Sequence, residues 1–229
     1  MRIRAVAIGM LAALVGAGCG TTGQEDRVRY VALGDSYTIG TSVGEAERWP
    51  NQLAGRLPDL ELVGNPAVNG YTSADLISEE LGQLDRLRPE FVSVLIGVND
   101  VVQGVPDAQY SGNIALILEE LLTRLPPERI LCVATPDYTR TPNGAAYGDP
   151  DLQSDRIVRV NAILREACEQ RGITFVPEIF AISQEVTGDP TLVANDALHP
   201  SGAQYRRWVE VIEPAVRELL GAGPPASSD

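Results

Sequence analysis

The chain has 229 residues, 31 of them acidic and 18 basic, and a formal charge of −13. A surface this acidic repels nucleic acid and anionic lipid head groups, so neither is expected as a partner. All 18 basic residues are arginine and there is one histidine, His199; this excludes a Ser-Lys dyad, a Schiff-base lysine and a P-loop lysine, and leaves His199 as the leading general base near neutral pH.

Residues 1–18 carry Arg2 and Arg4, an uncharged run over 5–17 and then Gly18 before Cys19. The apolar run is well short of the roughly 20 residues needed to span a bilayer, and reads as an export signal. Cys19 directly after Gly16-Ala17-Gly18 resembles a bacterial lipobox, where the signal is cut before a cysteine whose sulfur is then acylated, although Gly16 departs from the usual aliphatic residue. The expectation is a protein of the bacterial cell envelope, lipid-anchored at Cys19 and touching the membrane only through that anchor, with a soluble secreted form as the alternative. Residues 19–26 form a polar tether.

Residues 27–220 read as one domain, expected to be monomeric. Apolar runs rich in β-branched residues at 28–33, 60–63, 91–96, 130–134 and 173–176 alternate with helical spacing at 49–57, 73–84, 108–125, 155–171 and 203–220. Five strands alternating with helices predict an α/β fold, a three-layer α/β/α sandwich on a five-stranded parallel sheet. The expected strand order is the flavodoxin-like 2-1-3-4-5. Residues 221–229, rich in Gly, Pro and Ser, predict a disordered tail.

The first apolar run ends in Gly34-Asp35-Ser36, a turn that presents a serine. Serine is a weak nucleophile without a neighbouring base, and Asp196 lies three residues before His199, in position to orient it. Asn65 and Gly70 follow the second run, Gly97-Val98-Asn99-Asp100 follows the third, and Asp196 and His199 lie in the connection after the fifth. All therefore fall at the carboxyl edge of the sheet, where open α/β folds collect their function. Taken singly, each has a plainer reading: a helix cap at Asp35 or Ser36, a strand-to-loop turn at Asn99, a loop hydrogen bond between Asp196 and His199. Their joint occurrence in this order favours catalysis.

With these residues assembled, the chain closely resembles the SGNH (GDSL-like) hydrolase family. Gly34-Asp35-Ser36, Asn65 with Gly70, Gly97-Val98-Asn99-Asp100 and Asp196-Ala197-Leu198-His199 match its four blocks in order; Tyr37 stands where the name-giving motif has leucine. No Gly-x-Ser-x-Gly elbow of the unrelated α/β-hydrolases is present. The resemblance implies a serine esterase that needs no metal and no organic cofactor. In it Ser36 attacks an acyl carbonyl, His199 moves the proton, Asp196 orients His199, and the N–H groups of Ser36 and Gly70 with the Asn99 amide form an oxyanion hole. The substrate is expected to be a small-molecule, carbohydrate or lipid ester. Two other readings use the same fold: acyl transfer to a sugar or alcohol, and a binding lipoprotein without turnover.

The long connection 135–151 is more than a link requires and is expected to carry Tyr138 and Tyr147 into the substrate pocket beside Tyr37, with a surface flap as the plainer alternative. Asp35 and Asp100 are expected to brace the turns. Glu79-Glu80 and Glu119-Glu120 read as solvated helix faces, Asp149 and Asp151 as loop residues around Pro150, and Trp49 and Trp208 as packing residues. Cys132 on the fourth strand and Cys168 on the following helix either pair or stay as buried thiols.

Overall fold

The computed structural model describes residues 27–221. The export signal, Cys19 with its tether, and the tail beyond Gly221 lie outside the described residues. Five parallel strands, β1 (Val28–Gly34), β2 (Leu60–Gly64), β3 (Phe91–Leu95), β4 (Ile130–Val133) and β5 (Thr174–Val176), form one sheet in the order β2-β1-β3-β4-β5. The central strands are buried on both faces: β3 and β4 are covered throughout, and β1 from Tyr30 onward. This is why their sequences run apolar without alternating. The one polar residue in β3, Ser93, shares a 2.7 Å hydrogen bond with the buried Tyr30 hydroxyl, so neither is left unsatisfied.

The helices are α1 (Ser36–Ile39), α2 (Trp49–Arg56), α3 (Ser73–Asp75), α4 (Leu84–Leu87), α5 (Val98–Val102), α6 (Asp107–Leu122), α7 (Pro150–Glu169), α8 (Ile179–Gln184) and α9 (Gly202–Leu219). Helix α2 packs on α9, and α6 packs on α7, giving the two outer layers of the predicted α/β/α sandwich. Trp49 and Trp208 are fully buried, one each on α2 and α9, as packing residues should be.

Three differences from the predicted elements have local causes. The helix predicted at 73–84 is broken into α3, a π-helical turn at Leu76–Glu80, a 3-10 turn at Leu81–Gln83 and α4. Leu76 and Leu81 are both buried; residues five apart share a face only when the turn is widened. Glu80, four residues after the buried Leu76 and four before the buried Leu84, shares their inward face and is fully buried instead of solvated, while Glu79 stays exposed.

Helix α7 begins at Pro150, earlier than the predicted 155. Asp149 caps it by accepting the N–H groups of Asp151 and Leu152 at 3.1 and 3.0 Å, so Asp149, Pro150 and Asp151 form a helix start rather than a loop. Finally, α1, α5 and α8 were not predicted; at four, five and six residues they are too short to show a helical period. Cys132 and Cys168 are free, buried thiols. Their mutual contact and burial push the Cys132 thiol well above its ordinary value, which keeps it unreactive.

Candidate active site

The order of the sheet reverses direction between β1 and β3, so the loops leaving these neighbours open a crevice at their carboxyl ends. Gly34 and Leu95, the last residues of the two strands, are register partners. The chain therefore releases Gly34-Asp35-Ser36 and Gly97-Val98-Asn99 side by side. Gly34 has φ 153°, and a Cβ there would lie 2.3 Å from the Leu95 carbonyl oxygen; only glycine allows this close passage. Asp35 then caps α1 by accepting the Tyr37 N–H at 2.9 Å, and Ser36 becomes the first residue of the helix, where a backbone N–H has no acceptor within the helix.

His199 reaches this serine from the loop before α9. Its Nε2 lies 2.9 Å from Ser36 Oγ, and its Nδ1 lies 2.6 Å from Asp196 Oδ2. An ionised carboxylate accepts only, so Nδ1 carries the proton and Nε2 is free to accept from the serine hydroxyl. The loop is preset by Asp196 itself: Oδ1 accepts the N–H groups of Leu198 and His199, both at 2.9 Å. Partial burial works against ionisation of Asp196, but hydrogen bonds from Ser42, His199 and the two backbone groups outweigh it and hold the carboxyl well below the usual range. Tyr37 flanks the imidazole with ring centroids 5.1 Å apart and rests on Trp208 at 6.4 Å, so the core of α9 supports the imidazole.

Ser36, His199, Gly70 and Asn99 line one cavity of about 230 Å³ together with Tyr37, Asn69, Val98, Val102, Tyr138, Tyr147 and Leu198. Gly70, at φ 85°, has no side-chain space contested, and it is the left-handed backbone that favours glycine there. The Asn99 amide donates to the Tyr71 carbonyl at 2.9 Å and, at a longer 3.4 Å, to Asp35 Oδ2. Asn65 does not line the cavity; it braces α1 by donating to the Thr38 carbonyl at 2.9 Å. Asp100 is buried and receives the N–H and hydroxyl of Ser73 at 2.9 and 2.5 Å, which ties the segment carrying Gly70 to the one carrying Asn99.

The connection after β4 folds over the cavity rather than away from it. Tyr138 is buried, Tyr147 is 43% exposed, and their rings meet edge to face at 5.9 Å. Asn143 in the same connection donates to the Asp196 carbonyl at 2.7 Å and so supports the loop carrying Asp196 and His199. Sequence reasoning missed Ser42, Asn69 and Asn143, since a lone serine or asparagine in a loop carries no pattern; only the place of Asn69 beside Gly70 hinted at a role.

Glu80 was missed as well. It accepts the Gly34 N–H at 3.0 Å beneath the Gly34-Asp35-Ser36 turn. Burial raises its carboxyl to about 8, against the Gly34 hydrogen bond, with repulsion from Asp35 adding to the rise. Burial likewise raises Asp35 to about 7; the Tyr37 N–H opposes this and Asp100 adds to it. No group of three or more His, Cys, Asp or Glu suited to a metal occurs among the described residues, and none of their helices is long and apolar enough to cross a membrane.

Residues 32–207 match the model of the GDSL-like lipase/acylhydrolase family. Esterase TesA of Pseudomonas aeruginosa is 24% identical over 193 residues, spanning 83% of this chain and 88% of that protein. Among solved structures, a TesA superimposes with a TM-score of 0.66 at 21% identity, over 83% of this chain and 98% of its own. Axe2, an acetylxylan esterase of Geobacillus stearothermophilus, gives 0.60 at 20% identity, over 85% and 94%.

Proposed function

The chain belongs to the GDSL-like lipase/acylhydrolase family, and from that premise we propose that this carboxylic ester hydrolase works through an acyl-enzyme on Ser36. The observation that carries the reading is the continuous relay from Ser36 Oγ to His199 Nε2 at 2.9 Å and from Nδ1 to Asp196 at 2.6 Å, opening on a single cavity. As Ser36 attacks the acyl carbonyl, its proton passes to Nε2, and Asp196 stabilises the imidazolium without taking the proton itself. The carbonyl oxygen becomes an anion held by the Ser36 and Gly70 N–H groups and the Asn99 amide. The long Asn99 contact to Asp35 is the one that this oxyanion replaces. The imidazolium protonates the leaving alcohol, and water, activated by His199, releases the acid.

Tyr37, Tyr138 and Tyr147 shape the substrate pocket in this reading, and a cavity of about 230 Å³ favours a short acyl group. The esterase and acetylxylan esterase relatives support a soluble small-molecule or carbohydrate ester. Export and lipid anchoring at Cys19, with one hydrolase domain over 27–220, complete the proposal and rest on the sequence.

The test is hydrolysis of p-nitrophenyl esters over a series of acyl lengths. Turnover that favours acetyl to butyryl and is lost in Ser36→Ala is the expected result; equal turnover by Ser36→Ala rejects the assignment.

A further inference from the structure

We infer that Ser42 is a positioning residue of the hydrolytic centre, its hydroxyl holding the Asp196 carboxylate where it orients His199. The inference rests on the proposed roles of Ser36, His199 and Asp196. Ser42 Oγ–H donates to Asp196 Oδ2 at 2.6 Å, the same oxygen that receives His199 Nδ1–H. The other groups bound to this carboxylate, the N–H of Leu198 and the N–H and imidazole of His199, all belong to its own loop and move with it. Among the described residues Ser42 alone comes from elsewhere. It lies 154 residues from Asp196 in sequence, just past α1 and Gly40, and so ties the loop carrying acid and base to the loop carrying the nucleophile.

The backbone supplies an independent observation. Ser42 sits at φ 68°, one of three non-glycine residues with positive φ among the described residues; the others are Arg88 and Ala197, which follows Asp196. Two of the three therefore lie on either side of one carboxylate. Left-handed geometry at a residue with a Cβ costs energy that glycine avoids, and the chain does use glycine two residues earlier, at Gly40 with φ 73°. At position 42 it keeps a side chain whose one polar atom bonds the acid. Ser42 is exposed, so water competes for the bond, and its contribution is orientation of Asp196 more than stability of the fold.

The experiment compares Ser42→Gly and Ser42→Ala with the wild type and Ser36→Ala. Glycine suits the backbone at this position, so Ser42→Gly is expected to fold at least as stably as the wild type. Both Ser42 variants are expected to lose about tenfold in kcat on p-nitrophenyl acetate with KM changed less than twofold, as fits loss of a hydrogen bond to a charged group.

A second readout does not depend on turnover. With one histidine in the chain, the His199 Nδ1–H gives a single downfield proton resonance. It is expected to be sharp in the wild type and Ser36→Ala, and broadened by exchange with water in both Ser42 variants. Wild-type kcat together with an unchanged resonance in Ser42→Gly overturns the inference. If the wild type hydrolyses no ester yet the resonance still broadens in the Ser42 variants, the hydrolase reading fails and the tether stands.

Discussion

Two sets of carboxyl groups border the same serine, and the fold treats them in opposite ways. Asp196, on the outer side, is partly exposed and receives hydrogen bonds from Ser42, Leu198 and His199, which hold it well below the usual range. Asp35, within the Gly34-Asp35-Ser36 turn, and Glu80, beneath it, are fully buried. Glu80 receives the Gly34 N–H on one oxygen, and the other has no partner among the described residues. Burial therefore dominates there, raising Asp35 to about 7 and Glu80 to about 8. The number of donors aimed at a carboxyl, set against the water removed from it, decides whether it is charged. In this account an ionised Asp196 stabilises the imidazolium, whereas an uncharged Glu80 avoids adding negative charge where an oxyanion must form.

Breaking the charged half should have the largest effect. Asp196→Asn keeps the shape but removes the anion and alters the imidazole tautomer, and kcat on p-nitrophenyl acetate is expected to fall about 10³- to 10⁴-fold. Because the Asp196 carboxyl is lowered, the stability it contributes is present above pH 4 and lost as pH falls toward its depressed value. Acid unfolding of Asp196→Asn should accordingly depend less on pH than that of the wild type.

The buried half should respond with the opposite sign. Glu80 holds its proton up to about 8 in the folded state and releases it near 4.5 when unfolded, so the stability it carries is complete below 4.5 and declines as pH rises to 8. Glu80→Gln is expected to gain on the wild type by about 1–3 kcal/mol between pH 5 and pH 8 in denaturant unfolding. A constant difference across that range contradicts the raised carboxyl. The smallest effect belongs to Tyr147, which touches neither set: Tyr147→Ala should change the ratio of acetyl to octanoyl ester turnover about threefold, and an unchanged ratio removes it from the pocket.

The contrast between the two halves was only half legible in the sequence. Ser36, Gly70, Asn99, Asp196 and His199 stand in ordered motifs at strand ends, and apolar β-branched runs marked all five strands, so the sheet and the five residues could be read together. Glu80 was passed over because a glutamate beside another glutamate in a helical pattern looks solvated, although its place four residues from both Leu76 and Leu84 sets it on the inward face. Ser42 meets Asp196 only through tertiary contact between distant loops. The start of α7 was available in the Asp149-Pro150 pair, an N-cap followed by a proline suited to the first helical turn, but the glycine- and proline-rich stretch before it masked the signal.

The measurement that tests the central claim most directly is covalent labelling of the purified protein with an organofluorophosphonate, followed by peptide mass spectrometry. The account predicts one adduct per chain, on Ser36, and its loss in a folded His199→Ala variant. Absence of any adduct on the folded wild type, or an adduct on another residue with Ser36 unmodified, contradicts it.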